Sequence, residues 1–169
     1  RLELGYRIKE INRMRPGEIR YGYAGCWEPY LSAITAPGRA SVLIYRDPRD
    51  QLISHIFFAM EIHQGHGMHD YYVNELESME ERLSVAIQGC DLPGLGLPNI
   101  WERYQEYFGW FEISSVHCVK FEDLISNREK ALEGIFDYIA GFDVDFAVSR
   151  SQAVKVLSQA IQPKKSGTF

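Results

Sequence analysis

The chain has 169 residues, 46% of them hydrophobic and 24% charged, with a formal net charge of -5. That is enough sequence for one core and ordinary for a globular protein. The acidic balance argues against a general nucleic-acid binder, which is usually basic, and no apolar run approaches the roughly 18 residues of a membrane-spanning helix.

Cys26, Cys90 and Cys118 are odd in number and scattered, with no C-x-x-C. They read as reduced thiols of an intracellular, cytoplasmic protein. The chain begins at Arg1 without a signal-peptide pattern and ends at Phe169, and both ends are expected to be cut. An acidic chain that takes a phosphorylated ligand must do so with a few placed cations and backbone N–H groups.

Taken in order, residues 19–23 (IRYGY) read as a short strand, and Pro37-Gly38 as a turn. Ser41 to Tyr45 (SVLIY) is a continuous apolar, β-branched run, the pattern of a strand buried on both faces of a parallel sheet. Asp47 is a natural N-cap and Pro48 fits the first helical position. Leu52, Ile53, Ile56, Phe57 and Met60 recur at helical spacing and predict one buried stripe.

Residues 63–70 (HQGHGMHD) form a loop, followed by a predicted helix from Tyr71 to Gln88 ended by Gly89. Pro93, Gly94, Gly96 and Pro98 predict a loop, and Asn99 caps a helix that stops near Gly109. Val116 to Phe121 (VHCVKF) reads as a second buried strand, and Ser126 with Glu129 as a capping box for the next helix, which stops at Gly141. A last helix is predicted from Ser149 to Ile161, stopped by Pro163. Strands separated by helices of this length predict an α/β fold with a parallel sheet.

The chemistry concentrates in Tyr45 to Ser54 (YRDPRDQLIS). Arg46 falls at the carboxyl end of a predicted strand, where ligands of open α/β sheets bind. The helix starting at Pro48 offers free N–H groups and a positive dipole end to an anion, and an Arg can grip phosphate with two prongs. Ser54 lies opposite the apolar stripe, about two turns into the helix. The plainer reading is a surface ion pair of Arg46 with Asp50 beside a solvated Ser54.

The string Y-R-D-P-R-D-x-x-x-S resembles the 3′-phosphate-binding motif of sulfotransferases that use 3′-phosphoadenylyl sulfate (PAPS). The resemblance implies that Arg46 and Ser54 bind the 3′-phosphate of the nucleotide. Val119 to Leu124 (VKFEDL) is similar to the family's "rYEDL" strand end, which implies that Phe121 lies near the adenine. GEIRYGYAGCWEPY resembles the segment that precedes the first motif, so the likeness runs over about residues 17–141.

It implies a three-layer α/β fold, a parallel sheet flanked by helices, like that of P-loop nucleotide hydrolases. Residues 1–169 would then be a single, incomplete sulfotransferase-like domain. The activity implied is transfer of a sulfuryl group from PAPS to a hydroxyl, or an amine, of a small-molecule or glycan acceptor. PAP (3′-phosphoadenosine 5′-phosphate) would be the product, with no metal required. A non-catalytic nucleotide-binding module of the same fold, or another phosphate-loop transferase or kinase, are the rivals; a kinase needs Mg²⁺ and a Walker-type lysine.

The sequence departs from the family in three ways. Its N-terminal phosphate loop, P-[KR]-S-G-T, has no counterpart near Arg1. Pro163 to Phe169 (PKKSGTF) contains K-S-G-T, but its place in the chain reads better as the approach to the family's C-terminal F-R-K-G segment, with Phe169 as its Phe. The usual catalytic His turn aligns with Tyr23, and phenols, with pKa values ordinarily near 10, are poor general bases. Tyr23, Glu28 and His55 are the candidates for the catalytic base.

His63, His66 and His69 are spaced for a loop rather than for a helical metal pair; they read as part of a mobile loop near the acceptor mouth. Trp101, Tyr104, Tyr107, Phe108, Trp110 and Phe111 read mostly as core, and Glu75 to Arg82 as a solvated helix face.

Overall fold

The computed structural model describes residues 2–142 and 144–161. Its centre is a parallel pair of strands, β1 (Ser41–Tyr45) and β4 (Val116–Lys120), in register from Ser41 opposite Val116 to Tyr45 opposite Lys120. Parallel strands require a long crossover. This one carries α3 (Pro48–Phe57), α4 (Met79–Gln88), a hairpin of β2 (Cys90–Leu92) and β3 (Leu95–Leu97), and α5 (Ile100–Phe108). Helices α1 (Leu2–Asn12) and α2 (Tyr30–Ile34) precede β1, and α6 (Phe121–Ser126), α7 (Arg128–Ala140) and α8 (Arg150–Ala160) follow β4.

Two apolar clusters hold these elements. Leu52, Ile56 and Ala59 pack with Met68, Tyr72 and Ala86, joining α3, the wide turns after it and α4. Val119, Leu124, Leu132 and Val154 join β4 to α6, α7 and α8. Tyr138 pins the start of the ladder: its hydroxyl donates to Ser115 O at 2.7 Å and accepts from Ser41 N–H at 2.8 Å, so one side chain spans the amino ends of both strands.

Several expectations hold. Asp47 caps α3, accepting from Arg49 N–H, and Pro48 is at its first turn. Asn99 and Ser149 cap α5 and α8 in reciprocal boxes with Glu102 and Gln152.

Others are corrected. Residues 19–23 form no strand; they run as exposed coil, with no strand beside them among the described residues. The helix expected over 71–88 is broken into a wide turn over Tyr71–Glu75 and α4, because Ser78 and Glu81 form a capping box that starts a new helix. Arg82 bonds the carbonyls of Tyr72 and Leu76, closing the turn before it. The capping box at Ser126 and Glu129 is absent: α7 starts after Asn127 without a side-chain cap, and the Ser126 hydroxyl is spent on Glu122 O. The 93–98 segment is not only loop but the hairpin β2–β3, antiparallel from Cys90 opposite Leu97.

Strand β1 is not buried on both faces: Val42 is 37% and Ile44 55% exposed, since among the described residues the sheet has only two strands. Ile53 and Phe57 likewise point outward, leaving Leu52 and Ile56 as the buried stripe of α3. Of the aromatic set only Trp110 is buried; Trp101, Phe108 and Phe111 are exposed and Tyr104 and Tyr107 half-buried.

Candidate functional site

Because β1 and β4 run parallel and in register, the residues that follow them leave from the same end of the sheet. Arg46 follows Tyr45, and Phe121 follows Lys120, its register partner. Positions 75 apart in the chain therefore meet: Glu122 Oε1 accepts from Asp47 N–H at 3.5 Å. The Arg46 guanidinium lies over the Phe121 ring, 5.0 Å from its centroid, a cation–π contact.

Arg46 pairs not with Asp50 but with Glu122, Nε to Oε1 at 3.9 Å. Lys120 Nζ reaches the other oxygen of Glu122, also at 3.9 Å. Both distances suit ion pairs but are too long for hydrogen bonds, so Arg46 Nε and Glu122 Oε2 are buried without a hydrogen-bond partner. Among the described residues the Arg46 Nη atoms make no hydrogen bond. The arrangement holds the guanidinium by its inner edge and by the Phe121 ring.

The N-terminus of α3 opens beside Arg46. Asp47 takes the N–H of Arg49 at 2.9 Å and grips its guanidinium through both carboxylate oxygens. Those bonds hold the Asp47 carboxyl well below the usual carboxylate range, so the cap stays charged. Ser54 sits half-buried further along α3, about 9 Å from Pro48 at the helical rise.

The candidate bases lie elsewhere. Tyr23 is 80% exposed, and its carbonyl accepts from Arg7. Glu28 is engaged locally, accepting from the Ser32 hydroxyl at 2.7 Å and from Ser32 N–H. Neither shares a hydrogen bond or ion pair with Arg46 or Ser54 among the described residues. His55 is edge-on to His66 at 5.0 Å and to Tyr72 at 6.3 Å. Burial first, then the charges of His66 and Arg103, pull its pKa from 6.5 down to about 4. His55 is uncharged at neutral pH, but a weak proton acceptor there.

The histidine-bearing loop is tied down. Met68 is buried in the first cluster, His66 Nδ1 accepts from Met68 N–H at 3.1 Å, and His69 Nδ1 bonds Ala59 O at 2.8 Å. The i, i+3 spacing of these histidines carries no hint that Met68 between them is a core residue. The PKKSGTF segment lies outside the described residues. Sequence reasoning also missed Glu122 as the partner of Arg46; its adjacency to the Phe of VKFEDL was the available signal.

A family model described as a sulfotransferase domain matches residues 32–164, a span that includes both strand ends. The chain belongs to the sulfotransferase family. No curated protein and no solved structure matches it.

Proposed function

We propose that this domain binds PAPS across the carboxyl ends of β1 and β4 and transfers its sulfuryl group to a hydroxyl, or an amine, of an acceptor. The observation that supports this is the meeting of Arg46 with Phe121 and Glu122, two separate motifs joined at the ligand-binding end of a parallel sheet. Arg46, Ser54 and the first N–H groups of α3 would take the 3′-phosphate, and Phe121 would pack near the adenine. In the transfer the acceptor oxygen bonds to sulfur, the bond from sulfur to the 5′-phosphate oxygen breaks, PAP leaves, and the acceptor proton passes to a base.

The test is PAP binding followed by thermal unfolding. A ligand at 100 times its dissociation constant stabilises by about 2.7 kcal/mol. A rise in melting temperature is expected, and Arg46→Ala is expected to weaken binding at least about tenfold, or 1.4 kcal/mol. An unchanged constant in Arg46→Ala would remove Arg46 from the site. The base is found by comparing Tyr23→Phe, Glu28→Gln and His55→Asn in PAPS turnover: the variant that loses kcat while keeping PAP affinity carries it. Loss in none of them with an active parent excludes all three.

A further inference from the structure

Among the described residues, the buried side-chain polar atoms without a hydrogen-bond partner fall in two places. Arg46 Nε and Glu122 Oε2 are at the strand ends; His55 Nε2, Tyr72 Oη and Arg103 Nε are grouped elsewhere. His55 and Arg103 line a cavity of about 450 Å³, together with His66, Met68, Leu95 and Leu97. Tyr72 stands behind it, in ring contact with His55 and within electrostatic reach of Arg103. Buried polar atoms are nearly always paired, and two orphans in the lining of one cavity, His55 Nε2 and Arg103 Nε, mark a place where a partner comes from outside the chain.

The chemistry of that partner follows from the wall. No carboxylate lines the cavity, and Arg103 forms no ion pair among the described residues. Its Nη2 donates to Ala86 O, which holds the guanidinium in place while neutralising nothing. Burial, the largest cause for each, lowers the pKa of His55 and His66, and Arg103 is the one Arg or Lys in the lining, so the guanidinium brings a positive charge that no lining carboxylate offsets. Beyond these three, the apolar side chains of the wall are Met68, Leu95 and Leu97, and the rest of it is the backbone of Gly67, Gly94 and Gly96. A half-buried cation without a counter-charge is costly, and an incoming anion relieves that cost. The volume is in the range of small-molecule sites.

We propose that this cavity binds a small apolar monoanion, a carboxylate or a sulfate ester on a hydrocarbon body, with the anionic group on Arg103 and the body against Met68, Leu95 and Leu97. The neutral imidazole of His55 supplies a hydrogen-bonding group beside the anion. This binding is independent of nucleotide at Arg46.

The probes are hexanoate, hexyl sulfate, hexanol and hexylamine, titrated by calorimetry into the full chain. Hexanoate or hexyl sulfate is expected to bind at least about tenfold more tightly than hexanol, with hexylamine weakest, since a charge-assisted contact separates them. The tighter of the two anions tells a carboxylate from a sulfate-ester ligand. Arg103→Met is expected to erase the preference over hexanol, and Arg46→Ala to leave it intact. Because Arg103 also supports Ala86, a second readout uses the unaltered chain: hexanoate should shift the imidazole resonances of His55 and His66 and leave His117 in place. Hexanol binding as tightly as both anions overturns the proposal. So does anion binding lost in Arg46→Ala, or a titration in which His55 and His66 do not move.

Discussion

Glu122 sets the electrostatics at the strand ends. Its carboxylate shares Arg46 and Lys120, each at 3.9 Å, and in the proposed site an incoming phosphate would compete with it. Glu122→Gln keeps an oxygen for Asp47 N–H but drops the charge, so PAP is expected to bind about two- to tenfold more tightly at low salt, the gain shrinking as salt screens it. Weaker binding in Glu122→Gln would show that the carboxylate chiefly orients Arg46. Gly89 is a second residue with one solution. Its φ of 79° favours glycine, and a Cβ there would meet Leu97 O at 2.5 Å and Asn99 N at 2.8 Å, both backbone. Gly89→Ala is expected to cost at least about 2 kcal/mol in urea unfolding; a change under half of that would refute the strain. At this scale the sequence was informative where a residue type has one use, as with Asp47 before Pro48. It was silent on Glu122, because its partner is distant in the chain and only the fold brings them together.

The elements depend on a few side-chain pins. Tyr138 bridges Ser41 N–H and Ser115 O with one hydroxyl, so Tyr138→Phe leaves two backbone groups short of a partner while keeping the ring stacked on His117. The expected loss is about 1–3 kcal/mol by chemical denaturation; no loss would mean that water replaces the hydroxyl fully. Leu52, on the buried face of α3, is expected to cost about 2–5 kcal/mol as Leu52→Ala by the same measurement. The legible elements were those with a marked start or stop, α3 behind Asp47-Pro48, α5 between Asn99 and Gly109, and α8 before Pro163. The break near Ser78 was hidden because the apolar spacing of Leu76 and Met79 continues across it, while the backbone obeys the capping box. The exposure of Val42 and Ile44 was illegible because an apolar strand pattern records what a sheet face prefers, not whether a neighbour is there.

Across the molecule, acidification acts through the histidine cavity. His55 is pulled down to about 4 by burial, then by His66 and Arg103, and His66 is lowered by burial and His63. Unfolding returns both to their usual range near 6.5, so between about pH 6.5 and 4 the unfolded chain binds more protons than the folded one. Stability is full above about pH 6.5 and falls as pH drops through that window. The urea midpoint should follow this course, and His55→Gln should flatten it; equal slopes in both chains would contradict the assignment. The sheet has a consequence in time. Its two strands are paired across the long crossover that carries α3, α4, the β2–β3 hairpin and α5, and such distant pairings close slowly. Arg46 reaches Phe121 only once that ladder has zipped, so a ligand gripping both meets nothing to hold in a half-folded chain. It acts as a late latch: PAP should slow unfolding and leave the refolding rate unchanged.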